Sequence, residues 1–269
     1  MKYLVPNGIT CSSILFSMLG IHAALVGDMR SACWWILYSV LSDKLDGLVA
    51  RKLNASSPFG AQLDSLADLA SFGFAPATLF CAFYSRHPEA GWTSGWQAVA
   101  LPVIAASYVI ATAIRLARFN VIADIPGAER IFFGMPSTFA GGLMTALLCT
   151  LLKYGDPQWG GATAGDWPML GVVRLDGLAP HLPWGLLGAA VAMVSQLRVP
   201  KVGATQIRLI NVGLISNAVV CFGLGLARRM PEYLAVSALV YFVFSIGNHL
   251  LAPSTRGVKP PPLFRQASG

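Results

Sequence analysis

Four aspartates, Asp43, Asp46, Asp64 and Asp68, share one short stretch, "SDKLDGLVARKLNASSPFGAQLDSLADLASFG", which runs from Ser42 to Gly73. The first two are three residues apart and the last two are four apart. On a helix either spacing puts both side chains on one face. Apolar sequence lies on both sides, and an ionisable group inside a membrane is a functional candidate by default because of its cost. Two facing helices would gather the four carboxylates into one pocket, where like charges repel and burial disfavours ionisation. Divalent cations remove both problems. All-carboxylate ligation suits Mg²⁺ or Mn²⁺, which keep waters and bind substrate phosphates. Two such ions sharing carboxylates would form a clamp for a phosphoryl-type displacement. The competing reading, solvated charges at helix ends, suits one or two aspartates better than two spaced pairs.

The neighbours of these aspartates fit a phosphate ligand. Gly47 and Ala50 leave the helix face thin, so a bulky group can approach the backbone. Arg51 lies one turn beyond Gly47 and can fork onto a phosphate. Gly60 opens the next apolar segment and again leaves space.

The elements that must position these groups follow from composition. The chain has 269 residues, 55% hydrophobic and 12% charged, with mean hydropathy +0.61. Soluble domains carry about 25% charged residues, so the fold class is all-α, a polytopic membrane helix bundle. Eight apolar spans are read at roughly 8–27, 31–51, 62–84, 96–118, 134–153, 181–197, 207–227 and 231–252. The polar linker "KLNASSPFG" makes spans two and three an antiparallel hairpin, with both aspartate pairs at similar depth. Residues 1–252 read as one catalytic membrane domain, and the Pro-rich basic tail 253–269 as disordered. The loop over about 154–180 reads as irregular and remote from the chemistry.

The net charge of +7 comes from Lys and Arg in short loops, not from a basic stripe interleaved with aromatics. That pattern fits anionic headgroups and topology control rather than nucleic acid. With both termini cytoplasmic, the aspartates face the cytoplasm, at the inner membrane. The N-terminal apolar run has no clear small-x-small site and reads as an uncleaved first span. Five scattered cysteines, Cys11, Cys33, Cys81, Cys149 and Cys221, form no C-x-x-C and argue against a disulfide framework or a zinc site.

Asp43-x-x-Asp46-Gly47-x-x-Ala50-Arg51, eight residues, then Gly60-x-x-x-Asp64-x-x-x-Asp68, resembles the full signature of the CDP-alcohol phosphotransferases. The resemblance implies a helical membrane enzyme with a six-helix-type core, usually a homodimer. Such an enzyme moves a substituted phosphoryl group from a CDP-linked donor to an alcohol and releases CMP. By the same resemblance, Asp43, Asp46 and Asp64 would ligate two divalent cations, Mg²⁺ or Mn²⁺. Asp68 would be the general base and would also touch a metal. Gly47, Ala50, Arg51 and Gly60 would line the CDP site. The segment "PNGIT" resembles the family's stretch before its first span, which makes Asn7 and Thr10 candidates on the nucleotide side; "PN" also simply starts a helix.

The stretches "LADLASFGFAPATLF", "AIRLARFN", "FFGMPSTFAGG" and "MVSQLRVPK" are similar to the branch that uses CDP-diacylglycerol and serine. Arg115 and Arg118 are three apart at the end of span four and share a helix face. They could hold an anionic acceptor, since a guanidinium fork binds a carboxylate well. Glycerol phosphate or inositol phosphate would be held equally well, and choline less so. Topology anchoring is the other reading of this pair. Asn120 could donate to the same acceptor, while Phe119 and "FFGMPS" read as packing or as lining the lipid side. A cation-coupled transporter is the alternative from a different class. It finds little support, because both aspartate pairs sit at one face and no inverted halves are visible.

Overall fold

The structure, a computed structural model, describes residues 3–55, 57–123, 131–155, 177–196, 198–200 and 208–251. Among the described residues, nine α-helices form eight rods, because two of them are continuous. They are α1 (Leu4–Val26), α2 (Met29–Lys52), α3 (Pro58–Asp68), α4 (Ala75–Arg86), α5 (Gly95–Ala123), α6 (Ser137–Gly155), α7 (Leu182–Val194), α8 (Arg208–Leu226) and α9 (Pro231–Leu251). The eight spans read from the sequence coincide with these rods. Leu4–Val26, Pro58–Arg86 and Gly95–Val121 are long and apolar enough to cross a membrane. The α2 helix carries Asp43, Lys44, Asp46, Arg51 and Lys52, which lower its hydropathy despite its length.

Local chemistry sets the rod ends. Gly27 closes α1 in the left-handed region at φ 100°, its N–H donating to Ala23 O and Ala24 O. Asp28 then caps α2 by accepting from Ser31 N–H at 2.9 Å. A tight α1–α2 turn follows, and α1 packs most extensively on α2. The approach is close: a Cβ on Gly20 would lie 2.7 Å from Ile36 Cγ1. Ser57 caps α3 by accepting from Gly60 N–H at 3.0 Å, with Pro58 in the first turn.

Between α3 and α4 the rod passes through a π-helical turn, Leu69–Phe74. Pro76 follows at the start of α4 and has no N–H to continue the regular ladder. The π-turn carries the change of register, a feature that recurs at functional sites. It is buried against α1 and α6. Ser71 Oγ lies 3.0 Å from Ser17 Oγ, and a Cβ on Gly141 would come within 3.1 Å of Phe72. Small residues and hydroxyl bonds are how helices associate where burial of apolar surface offers no advantage over lipid.

One feature departs from an all-helical reading. Residues Ile131–Phe133 (β1) pair antiparallel with Arg198–Pro200 (β2), Phe132 opposite Val199. Span six accordingly stops as a helix at Val194, because Ser195 is extended (ψ 169°). At the end of the bundle away from the aspartates, Lys153 on α6 pairs with the fully buried Glu232 on α9 at 3.0 Å. Arg228 lies over the rings of Trp35 and Tyr38 at 5.2 and 5.0 Å, and its Nε donates to Tyr38 Oη at 2.9 Å. These contacts hold the α8–α9 pair against α2 and α6. The tail 253–269 and most of the loop 154–180 lie outside the described residues; the loop's far end does not. Ala179 O accepts from the Tyr84 hydroxyl, and Pro180 O accepts from Trp92 Nε1.

Candidate active site

The α2–α3 hairpin brings Asp43, Asp64 and Asp68 together. Each offers a carboxylate oxygen, and the three oxygens lie within 4.8 Å of one another. Among the described residues this is the one group of at least three potential ligands that could hold a metal ion. The donors are all hard oxygens, the chemistry that Mg²⁺ and Mn²⁺ take. Asp68 is buried, and Asp43 also accepts from the exposed Lys44 at 3.0 Å. Three carboxylates this close, with a single surface lysine bonded to one of them, fit a divalent cation.

Asp46 stands apart from that trio. It is buried, and its Oδ2 accepts a 2.7 Å hydrogen bond from Thr10 Oγ1. The same hydroxyl lies 3.1 Å from Pro6 O, within its own helix. Just deeper, Ser42 Oγ contacts Ser12 Oγ at 2.6 Å and Ile9 O at 3.0 Å. The first half of α1 is therefore stitched to the acidic end of α2. Asn7 reaches the start of α3, since a Cβ added to Gly60 would lie 3.2 Å from Asn7 Oδ1 and 3.2 Å from Ser57 Oγ. Asn7, Thr10 and Gly60 thus border the aspartates on the α1 side. At Gly47 an added Cβ would meet, among the described residues, the guanidinium of Arg51, at 3.6 Å. Arg51 lies over that bare stretch of backbone, while Ala50 is on the same helical turn.

The three residues read as acceptor-binding go to three places. Arg115 is 8% exposed, and its Nη1 donates to Ser137 Oγ at 2.6 Å. Ser137 Oγ is in turn 3.3 Å from Asp68 Oδ2. Arg118 donates to Val194 O and Ser195 O at 3.4 and 3.3 Å, at the end of α7. Asn120 bonds to Ser65 at 2.9 Å, next to Asp64 in sequence. The pair on one helix face thus divides. Arg115 turns to the aspartates, and Arg118 satisfies carbonyls that a helix end leaves unpaired.

Ser137 was not singled out by the sequence. It begins α6, where a serine reads as an ordinary helix start, and its partners are 22 and 69 residues away. The segment before it is fixed against α7. Met135 N–H donates to Ala192 O at 3.0 Å, and Gly134, at φ 82°, is so close that a Cβ would sit 2.2 Å from Met193 O. The "FFGMPS" stretch, expected to pack or to line the lipid side, therefore delivers a hydroxyl to the site through Ser137.

Comparison with known proteins agrees with this geometry. The profile of the CDP-alcohol phosphatidyltransferase family matches residues 3–173. A CDP-diacylglycerol–serine O-phosphatidyltransferase of Helicobacter pylori is 41% identical over 154 residues, covering 56% of this chain and 60% of that protein. The enzyme of that name from Mycobacterium tuberculosis is 31% identical over 209 residues, 76% of this chain and 63% of the other. That from Bacillus subtilis is 35% identical over 147 residues, 54% and 76% of the two chains. The chain thus spans about 60% of the length of the first of these relatives. The apolar rods and this match together describe an integral membrane protein. With the signature, the carboxylate cluster and a profile match over residues 3–173, the chain belongs to the CDP-alcohol phosphatidyltransferase family.

Proposed function

We propose that the protein transfers the phosphatidyl group of CDP-diacylglycerol to the hydroxyl of L-serine, giving phosphatidylserine and CMP. The convergence of Asp43, Asp64 and Asp68 beside the buried Arg115 carries this reading. The names of the relatives from three organisms support serine as the acceptor.

Asp43, Asp46, Asp64 and Asp68 would hold two divalent cations, Mg²⁺ or Mn²⁺, which supply charge neutralisation to the pyrophosphate and to the departing CMP. The acyl chains of the donor lie in the bilayer. Its nucleotide lies along Gly47, Ala50, Arg51 and Gly60, with Asn7 and Thr10 on the α1 side. Arg51 forks onto a phosphate. Serine enters beside Arg115, whose guanidinium suits its carboxylate, with Asn120 bordering the entry and Arg118 fixing the wall. Asp68 takes the proton of the serine hydroxyl, which is a poor nucleophile without a base. The serine oxygen forms a bond to the phosphorus that carries diacylglycerol. The bond from that phosphorus to the bridging oxygen breaks, and CMP leaves with the electron pair. Positioning and electrostatics supply most of the acceleration.

The acidic end faces the cytoplasm at the inner membrane, a placement supported by the excess of Lys and Arg at that end. The active form is a homodimer, a reading that rests on the family resemblance. The test is CMP release by purified protein with CDP-diacylglycerol and Mn²⁺ or Mg²⁺. Serine, glycerol 3-phosphate, inositol, inositol phosphate and choline are offered one at a time. Release with serine alone is expected. Release with another alcohol would keep the phosphoryl chemistry and overturn the acceptor. Solute flux across sealed vesicles without CMP release would replace the reading with transport.

A further inference from the structure

We infer that Ser137 is a positioning residue for this reaction, holding Arg115 off Asp68 while orienting the Asp68 carboxylate. The inference rests on the reading of Asp68 as base and metal ligand given above.

An arginine side chain only donates, and a serine hydroxyl has one proton. Arg115 Nη1 lies 2.6 Å from Ser137 Oγ, so the oxygen must accept there. Its single proton is then left for Asp68 Oδ2, 3.3 Å away. The order guanidinium, hydroxyl, carboxylate is thereby fixed in one direction. All three side chains are buried, Ser137 fully.

The order matters because of what would replace it. A buried guanidinium and a buried carboxylate a hydroxyl's breadth apart attract strongly in a low dielectric. With the hydroxyl gone, its other partner, Asp68, is an acceptor within reach of Arg115. A direct fork would occupy the carboxylate oxygens needed for a cation and for the serine proton. It would also remove Arg115 from an incoming acceptor carboxylate. Ser137 prevents this collapse and costs Asp68 only one lone pair of one oxygen.

The backbone holds Ser137 to that task. Gly134 packs on Met193 O and Met135 N–H donates to Ala192 O, so the segment entering α6 is fastened to the end of α7. Arg118 fastens the same helix end to α5, three residues beyond Arg115. The position of the hydroxyl is thus set from the end of α7.

Ser137→Ala and Ser137→Thr are compared with the wild-type protein in detergent, each confirmed as folded by size exclusion. Steady-state CMP release gives kcat and KM for CDP-diacylglycerol and for serine. Mn²⁺ binding without substrates is read by electron paramagnetic resonance. For the alanine variant, kcat falls about 10- to 100-fold and Mn²⁺ binds more weakly, the usual size of effect for a residue that orients a ligand. Its KM for CDP-diacylglycerol stays within about threefold, as for a group that acts in the chemical step. Threonine, which keeps the hydroxyl, restores most of both. An alanine variant with wild-type kcat and Mn²⁺ affinity overturns the inference, as does a folded threonine variant no better than alanine. A wild-type protein inert toward serine would remove the proposed reaction. In that case Mn²⁺ affinity still decides: weakened by alanine and not by threonine it upholds the role of Ser137, and unchanged it removes it.

Discussion

Thr10 on α1 donates a 2.7 Å hydrogen bond to the buried carboxylate of Asp46 on α2. This bond ties the start of the chain to the acidic site, where Asp46 is not among the three carboxylates that converge. A hydrogen bond to a charged group contributes about 1.5–3 kcal/mol. Thr10→Val keeps the shape and removes the donor, so CMP release should drop about tenfold, with Thr10→Ser much less affected. Equal rates for Thr10→Val and wild type would show that Asp46 needs no such partner.

Asp68 should separate binding from turnover. Asp68→Asn keeps size and polarity but cannot take a proton at neutral pH. Turnover should vanish while CDP binding, measured by calorimetry, is largely retained. Loss of both together would assign the effect to its hold on the cations instead of to proton transfer.

Gly134 is under two constraints, a positive φ and a Cβ that would lie 2.2 Å from Met193 O. Gly134→Ala should lower stability by at least about 1–3 kcal/mol, the usual range for overpacking. Thermal unfolding in detergent reads this as a clear drop in Tm. The change should also impair catalysis through Ser137. An unchanged Tm would mean that the contact with α7 opens freely.

Lys153 and Glu232 form a buried pair far from the aspartates. Breaking such a pair by removing one member costs about 3–5 kcal/mol, because the other is left charged and buried. Lys153→Met should therefore destabilise the protein strongly, and the double change Lys153→Met with Glu232→Leu should recover much of the loss. A double variant as unstable as the single would point to packing in place of charge.

The chemistry was readable where spacing on one helix decides it. Asp43, Asp64 and Asp68 converge because a short turn joins α2 and α3, as the polar linker implied; the i/i+3 spacing put Asp46 on the same face, yet its carboxylate bonds to Thr10 and lies outside the trio. The eight rods were readable from apolar runs. The roles of Ser137, Arg118 and Gly134 were not. Each depends on a contact tens of residues away, between helices whose relative rotation no local pattern fixes. Arg115 and Arg118 look equivalent in sequence, yet one end of α7 captures Arg118 and leaves Arg115 to the site. The β1–β2 pair escaped for the same reason, since three residues on each side carry no period of their own. Thr10 and Asn7 were legible only through resemblance, and α1 packing places them at the aspartates.

The most direct test of the account is transfer of labelled L-serine into chloroform-extractable lipid by the purified protein. CDP-diacylglycerol and Mn²⁺ or Mg²⁺ are supplied, with EDTA and Asp68→Asn as parallel arms. The account predicts labelled phosphatidylserine and an equal amount of CMP, both abolished by chelation and by the substitution. Labelled lipid that persists in EDTA, or its absence while another alcohol is consumed, would contradict it.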